Sequence, residues 1–184
     1  MYHYSSIVYF YGMKRMLILF QFFVLIRANA QNEFAASAFY NEFKKIYEDA
    51  QTGFIACKGQ KRNAEFEELA TEYRTKIMLP LADSGKLVVP VSGNPYAIYY
   101  FEPDKVRLKV DQQGVNLRDA VVTAFGKPLY ARTETTIVNN YPFTSTLFFT
   151  DPGENLFSAA LFRQCIYYKE GKYFLSFEIR GKNQ

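Results

Sequence analysis

The 184-residue chain contains a single histidine, His3, no tryptophan, and only two cysteines, Cys57 and Cys165. His3 lies ahead of an export-like segment, so a processed chain would keep no histidine at all. That excludes Ser-His-Asp and Cys-His nucleophile systems, because each needs an imidazole to carry the proton. Zinc and non-haem iron centres that rely on histidine ligands are excluded for the same reason. The sequence also lacks a G-x-x-x-x-G-K-[ST] loop, a G-x-G-x-x-G turn, a G-x-S-x-G elbow and the twelve-residue calcium loop of an EF-hand. No motif implies a cofactor, and no metal site is expected. The chain shows no repeat of fixed period, no low-complexity run and no Pro/Gly/Ser linker.

One long apolar run is present, within KRMLILFQFFVLIRANA at residues 14–30. Lys14 and Arg15 form a basic start, and Met16 to Ile26 gives eleven residues broken only by Gln21. Ala28 and Ala30 then stand at −3 and −1 of a cleavage point before Gln31, which is the layout of a secretory signal peptide. A spanning helix needs about 20 apolar residues, and this run is closed by Arg15 and Arg27. No stable membrane anchor is therefore expected after cleavage. Position 31 is not cysteine, so lipid attachment there is not expected. Met13 directly precedes the basic pair and offers an alternative start. The expected product is an exported protein, periplasmic or secreted, consisting of one domain over residues 31–184.

Cleavage also changes the charge balance. The chain has 22 Lys and Arg against 18 Asp and Glu, and residues 1–30 remove three cations and no acid, leaving 19 against 18. A nucleic-acid binder gathers excess cations on one face, whereas the one tight basic cluster, Lys58, Lys61 and Arg62, suits a solvated loop. No nucleic-acid partner is expected. Cys57 and Cys165 both survive cleavage, and an even pair in an oxidising compartment is expected to join. A loop of about 100 residues closed this way gains roughly 4.7 kcal/mol in the chain-entropy model. The alternative is two separate buried thiols.

Aromatics are plentiful, 14 Phe and 11 Tyr after residue 30, enough for one core. In Glu33 to Gln51, Phe39, Phe43, Ile46, Tyr47 and Ala50 recur three or four apart, which predicts an amphipathic helix ended by Gly53. Phe54 to Arg62 reads as a loop or short strand, and Asn63 to Ala70 as a short helix. The period then becomes two. Glu72 to Pro80, Lys86 to Val91 and Tyr96 to Glu102 predict an antiparallel meander, with turns at Ala82 to Gly85 and Ser92 to Pro95. Val106, Leu108 and Val110 suggest a further strand. Asn116 can cap a second helix through Leu117, Val121 and Phe125, stopped by Gly126 and Pro128. Strands are expected at Leu129 to Val138, Phe143 to Thr150, Leu156 to Lys169 and Lys172 to Arg180, with a loop over Asn139 to Pro142. The predicted fold is α+β, two helices on a mostly antiparallel sheet.

Carboxylates are the chemistry left to such a chain. Glu102 with Asp104, and Asp151 with Glu154, sit beside proline, where acids are favoured for turn geometry rather than catalysis. Asp151, Glu154 and Asn155 offer oxygen ligands without a calcium-loop pattern. The more informative stretch is Leu156 to Tyr168, apolar on both alternating faces, whereas a sheet with one solvated side alternates cleanly. Its second face is covered either by the domain's own elements or by a partner, a second copy or a small ligand. The hairpin of Leu156 to Tyr168 with Lys172 to Arg180 is expected at the centre of the sheet. Tyr173, Leu175, Phe177 and Ile179 should meet the helix of Phe39 and Phe43, leaving Phe162, Ile166, Tyr168 and Phe174 as the contact surface. The expected function is non-enzymatic binding of a protein partner, a second copy or a small ligand through an aromatic sheet face. The alternatives are an exported hydrolase using a carboxylate pair and a secreted inhibitor or immunity-type protein.

Overall fold

Two helices cover one face of an eight-stranded antiparallel sheet in the computed structural model, which describes residues 37–62, 68–154 and 157–182. The expected export segment, residues 1–30, lies outside the described residues. Among the described residues, 39–182 belong to one compact unit. The α+β class read from the sequence holds. No helix among the described residues is long and apolar enough to cross a membrane.

Helix α1 (residues 37–50) presents the expected stripe. Phe39, Phe43, Ile46 and Ala50 are buried, because residues three and four apart share one side of a helix. Gly53 (φ 78°) turns the chain, and the Asp49 carboxylate accepts the N–H groups of Ala56 at 2.9 Å and Cys57 at 2.7 Å. The first meander comprises β1 (Lys58–Arg62), β2 (Ala70–Thr75), β3 (Ala82–Pro90) and β4 (Tyr96–Phe101). Helix α2 (Arg107–Phe125) follows, then β5 (Tyr130–Val138), β6 (Tyr141–Phe149), a 3₁₀ turn (Phe157–Ala159), β7 (Phe162–Lys169) and β8 (Lys172–Arg180). The sheet order is β1-β2-β3-β4-β8-β7-β6-β5, so the last hairpin is central, as expected, and joins the two meanders.

Several boundaries differ from expectation for identifiable reasons. Leu108 and Val110 lie in α2, with Val106 as its N-cap, rather than in a strand. The buried set Val110, Gly114, Leu117, Val121 and Ala124 has helical spacing that starts ahead of Asn116. Asp104 supports that start, its Oδ1 accepting the Val106 N–H at 2.7 Å and its Oδ2 facing Lys109 Nζ at 3.2 Å. Reciprocal backbone bonds between Asp104 and Tyr173, 2.8 and 3.1 Å, tie this helix start to β8. Asn116 instead accepts a bond from Gln112 within the helix. Ala82 to Gly85 lie inside β3 rather than in a turn, with a bulge between Ala82 and Ser84 opposite β4. The expected loop over Asn139 to Pro142 is a two-residue turn, Asn139 and Asn140 at φ 51° and 66°, the left-handed pair that suits a tight hairpin. Ala70 begins β2, so the helix expected to end there does not reach it, and residues 63–67 lie outside the described residues.

The core lies between the helices and one sheet face. Glu170 and Gly171 (φ 51° and 81°) close β7 onto β8 and set Tyr168 opposite Tyr173, Ile166 opposite Leu175 and Phe162 opposite Ile179. Directly opposed residues share a face, so Phe162 joins Leu175, Phe177 and Ile179 under the helices. Its ring centroid lies 5.4 Å from Phe43, 5.5 Å from Phe125, 5.7 Å from Tyr47 and 5.8 Å from Phe177. Gly114 lets α2 approach β7, since a Cβ there would meet Gln164 Nε2 at 2.7 Å. Phe162 is fully buried among these rings, so Phe162→Ala should lower unfolding free energy by about 3–5 kcal/mol in urea titration. A loss below about 1 kcal/mol, the scale of an exposed change, would contradict this packing.

Candidate functional site on the open sheet face

The sequence expectation placed Phe162, Ile166, Tyr168 and Phe174 on one exposed surface, and the hairpin register divides them. Phe162 (0% exposed) and Ile166 (9%) lie in the core beneath the helices. Tyr168 shares their side of β7 but stands at its end, stacked on Tyr141 at 3.8 Å and edge-on to Tyr173 at 4.9 Å. Phe174 alone is on the opposite side, where Tyr167 and Phe174 rings stack at 5.5 Å and Phe143 follows at 6.2 Å. The apparent double-sided hydrophobicity of Leu156 to Tyr168 arose from counting Phe157, Ala159, Ala160 and Leu161 as strand. The chain there makes the 3₁₀ turn and enters β7 only at Phe162.

The face turned away from the helices is polar at its centre and aromatic at one end. Lys86, Ile98, Glu178, Arg163 and Leu147 occupy one row across β3, β4, β8, β7 and β6. In the neighbouring row Tyr96 lies opposite Arg180. Glu178 is 9% exposed and sits between two guanidinium groups. Its Oε1 accepts from Arg180 Nε at 2.7 Å, and its Oε2 faces Arg163 Nη1 at 3.9 Å. Arg163 Nε also donates to Ser145 Oγ at 3.0 Å, and Arg180 Nη1 donates to the Phe157 carbonyl. The Phe157 ring lies 3.6 Å from the Arg180 guanidinium carbon and 5.0 Å from that of Arg163. Stacking occupies a guanidinium's face rather than its edge N–H groups; with Nε and Nη1 of each arginine already engaged, the Nη2 groups are the ones left to meet a further acceptor.

This cluster forms the wall of a cleft of about 500 Å³, lined also by Pro90, Ser92, Asn94 and Tyr96. Two cations share one carboxylate, so the wall carries net positive charge. Burial raises the Tyr96 phenol, with the Glu178 carboxylate adding to the effect, so it stays a neutral donor. A separate pair, Lys86 and Glu72 at 2.5 Å, is balanced. Among the described residues no group of His, Cys, Asp and Glu converges in a way that could hold a metal ion. Asp104 serves the α2 start, and Asp151 accepts the Gly153 N–H at 2.8 Å as a turn residue. Sequence reading missed Arg163, Glu178, Arg180 and Phe157. The usable signal was the alternation in β8, where Ser176, Glu178 and Arg180 interleave with Leu175, Phe177 and Ile179.

The expected Cys57–Cys165 bond is not formed; both thiols are free and buried. Cys57 lies in the core beside Asp49 and Tyr99. Cys165 pairs with Ser176 on the opposite face, near Ser145 and Arg163. The sheet therefore stands between them, and a disulfide needs Cα atoms roughly 4.4 to 6.8 Å apart. Burial pushes both thiols up, and for Cys57 the Asp49 carboxylate adds to this, so at neutral pH neither is the reactive thiolate. Titration of the unreduced protein with an aromatic disulfide reagent should find almost no reactive thiol in the native state and two after unfolding in denaturant. Two thiols missing after unfolding would contradict this placement.

Comparison with protein-family models, with curated protein sequences and with solved structures finds no match to this chain, which leaves the geometry of the open face as the basis for reading its function.

Proposed function

We propose that the chain is an exported, non-enzymatic binding domain that holds a small organic anion in the cleft of Arg163, Glu178 and Arg180. The single observation that carries this reading is the pairing of two partly buried guanidiniums with one carboxylate in a lined cleft. The Nη2 groups of the two guanidiniums, whose Nε and Nη1 are engaged within the chain, can each donate a charge-assisted bond to a carboxylate or phosphate oxygen. Phe157, Tyr96 and Pro90 supply apolar surface for the body of the ligand. A volume of about 500 Å³ lies within the range of roughly 300–1,000 Å³ typical of small-molecule sites. Export is supported by the basic, apolar and small-residue order of residues 14–30. A hydrolase with two facing carboxylates gains no support from this cleft, where Glu178 is the one acid among the described lining residues and is engaged by arginines.

Calorimetric titration with benzoate and phenyl phosphate, with benzyl alcohol as the uncharged control, tests the reading. At least one anion should bind, the alcohol should bind at least about tenfold more weakly, and Arg163→Gln should reduce anion affinity by a similar factor, the loss of one charge-assisted contact. Failure of both anions to bind, or binding unchanged in Arg163→Gln, would overturn it.

A further inference from the structure

The two edges of the sheet are built differently. At one end, β1 is five residues long, reads KGQKR and has a register irregularity between Lys58 and Lys61 against β2. Short length, cations and bulges are the features that protect an edge from pairing with another chain. At the other end, β5 runs nine residues in unbroken register with β6 and every residue is exposed. It contains no lysine, proline or bulge, and its one cation and one anion cancel. Ile137 is 69% exposed and Val138 50%. Along such an edge every second residue turns its backbone N–H and C=O outward, an unfilled ladder.

We infer that β5 pairs antiparallel with β5 of a second copy, joining two eight-stranded sheets across a two-fold axis at Thr133. The charge pattern selects this centre. An axis normal to the sheet keeps each face continuous, so paired residues must share a face, and centring on Thr133 sets Arg132 of each copy opposite Glu134 of the other. Centring on Arg132 or Glu134 would oppose like charges, which destabilises a cross-strand pair. Within one chain Arg132 and Glu134 already pair at 2.8 Å on one side of β5, so the two-fold brings two such pairs together as an alternating group of four. The same register sets Thr135 opposite Ala131, small against small, and Thr136 opposite Tyr130. Isologous contact of this kind closes at two copies and leaves only the guarded β1 edges outside.

This inference is independent of the ligand reading, since β5 does not line the cleft. Sedimentation equilibrium of the purified chain over a concentration series should show a monomer–dimer equilibrium. Arg132→Glu and Glu134→Arg should each weaken dimerisation about tenfold, because each creates two like-charge cross-strand oppositions. The double variant carrying both changes should restore it. Circular dichroism checks that these exposed substitutions leave the fold intact, and hydrogen exchange should show β5 amides slowing as concentration rises. A chain that stays monomeric throughout, or a dimer unmoved by the single charge changes, would overturn the proposal.

Discussion

The two-residue turn at Glu170 and Gly171 determines which side of the sheet every other group occupies. By closing β7 onto β8 with Tyr168 opposite Tyr173, it sends Phe162, Ile166, Leu175, Phe177 and Ile179 to one face. Arg163, Cys165, Ser176 and Glu178 go to the other. Because the side-chain period of a strand is two, slippage by one residue would exchange these sets. A slip of β8 would bury Glu178 and Arg180 under α1 and α2, and a slip of β7 would bury Arg163, in either case at the cost of desolvating charge against an apolar surface. The register is therefore enforced by the core as well as by the turn, and the hairpin transmits it outward through β4 on one side and β6 on the other.

The helices complete this arrangement rather than create it. The stripe of α1 supplies Phe39, Phe43 and Ile46, and α2 supplies Val110, Leu117 and Val121, all against the apolar face. Both stripes rest on the sheet, and Tyr47 of α1 meets Phe125 of α2 edge-on at 5.3 Å, so the burial of helices and sheet is one event. The opposite face is then free to carry charge. Its arginines are held in place by Glu178, Ser145 and the Phe157 carbonyl.

Much of the fold could be read from the sequence where local period and long-range packing agree. The stripe of Phe39, Phe43, Ile46 and Ala50 and the alternation of β8 both led to the observed elements. The central position of the last hairpin followed from them. The errors fall where two periods compete or where context decides. Val106, Leu108 and Val110 alternate like a strand, yet Val110 is also the first member of the buried series of α2. Leu156 to Leu161 reads as apolar as a strand, but Phe157 to Ala159 form a 3₁₀ turn that places Phe157 on the arginines. The candidate site was less legible. Its residues are ordinary charged positions within strands, and only the pairing of Arg163 with Glu178 across the hairpin brings them together. That pairing followed from the tight turn, which also sets Phe162 with Ile179 rather than on a free surface. The disulfide expectation failed because compartment and cysteine number carry no information about which side of a sheet a thiol faces.

Cross-strand nuclear Overhauser contacts between backbone protons of β7 and β8 test the register on which core, cleft and thiol placement depend. The account predicts contacts joining Tyr168 with Tyr173, Ile166 with Leu175 and Phe162 with Ile179. Contacts joining Tyr168 with Phe174 and Phe162 with Arg180 would place Phe162 on the arginine face and contradict it.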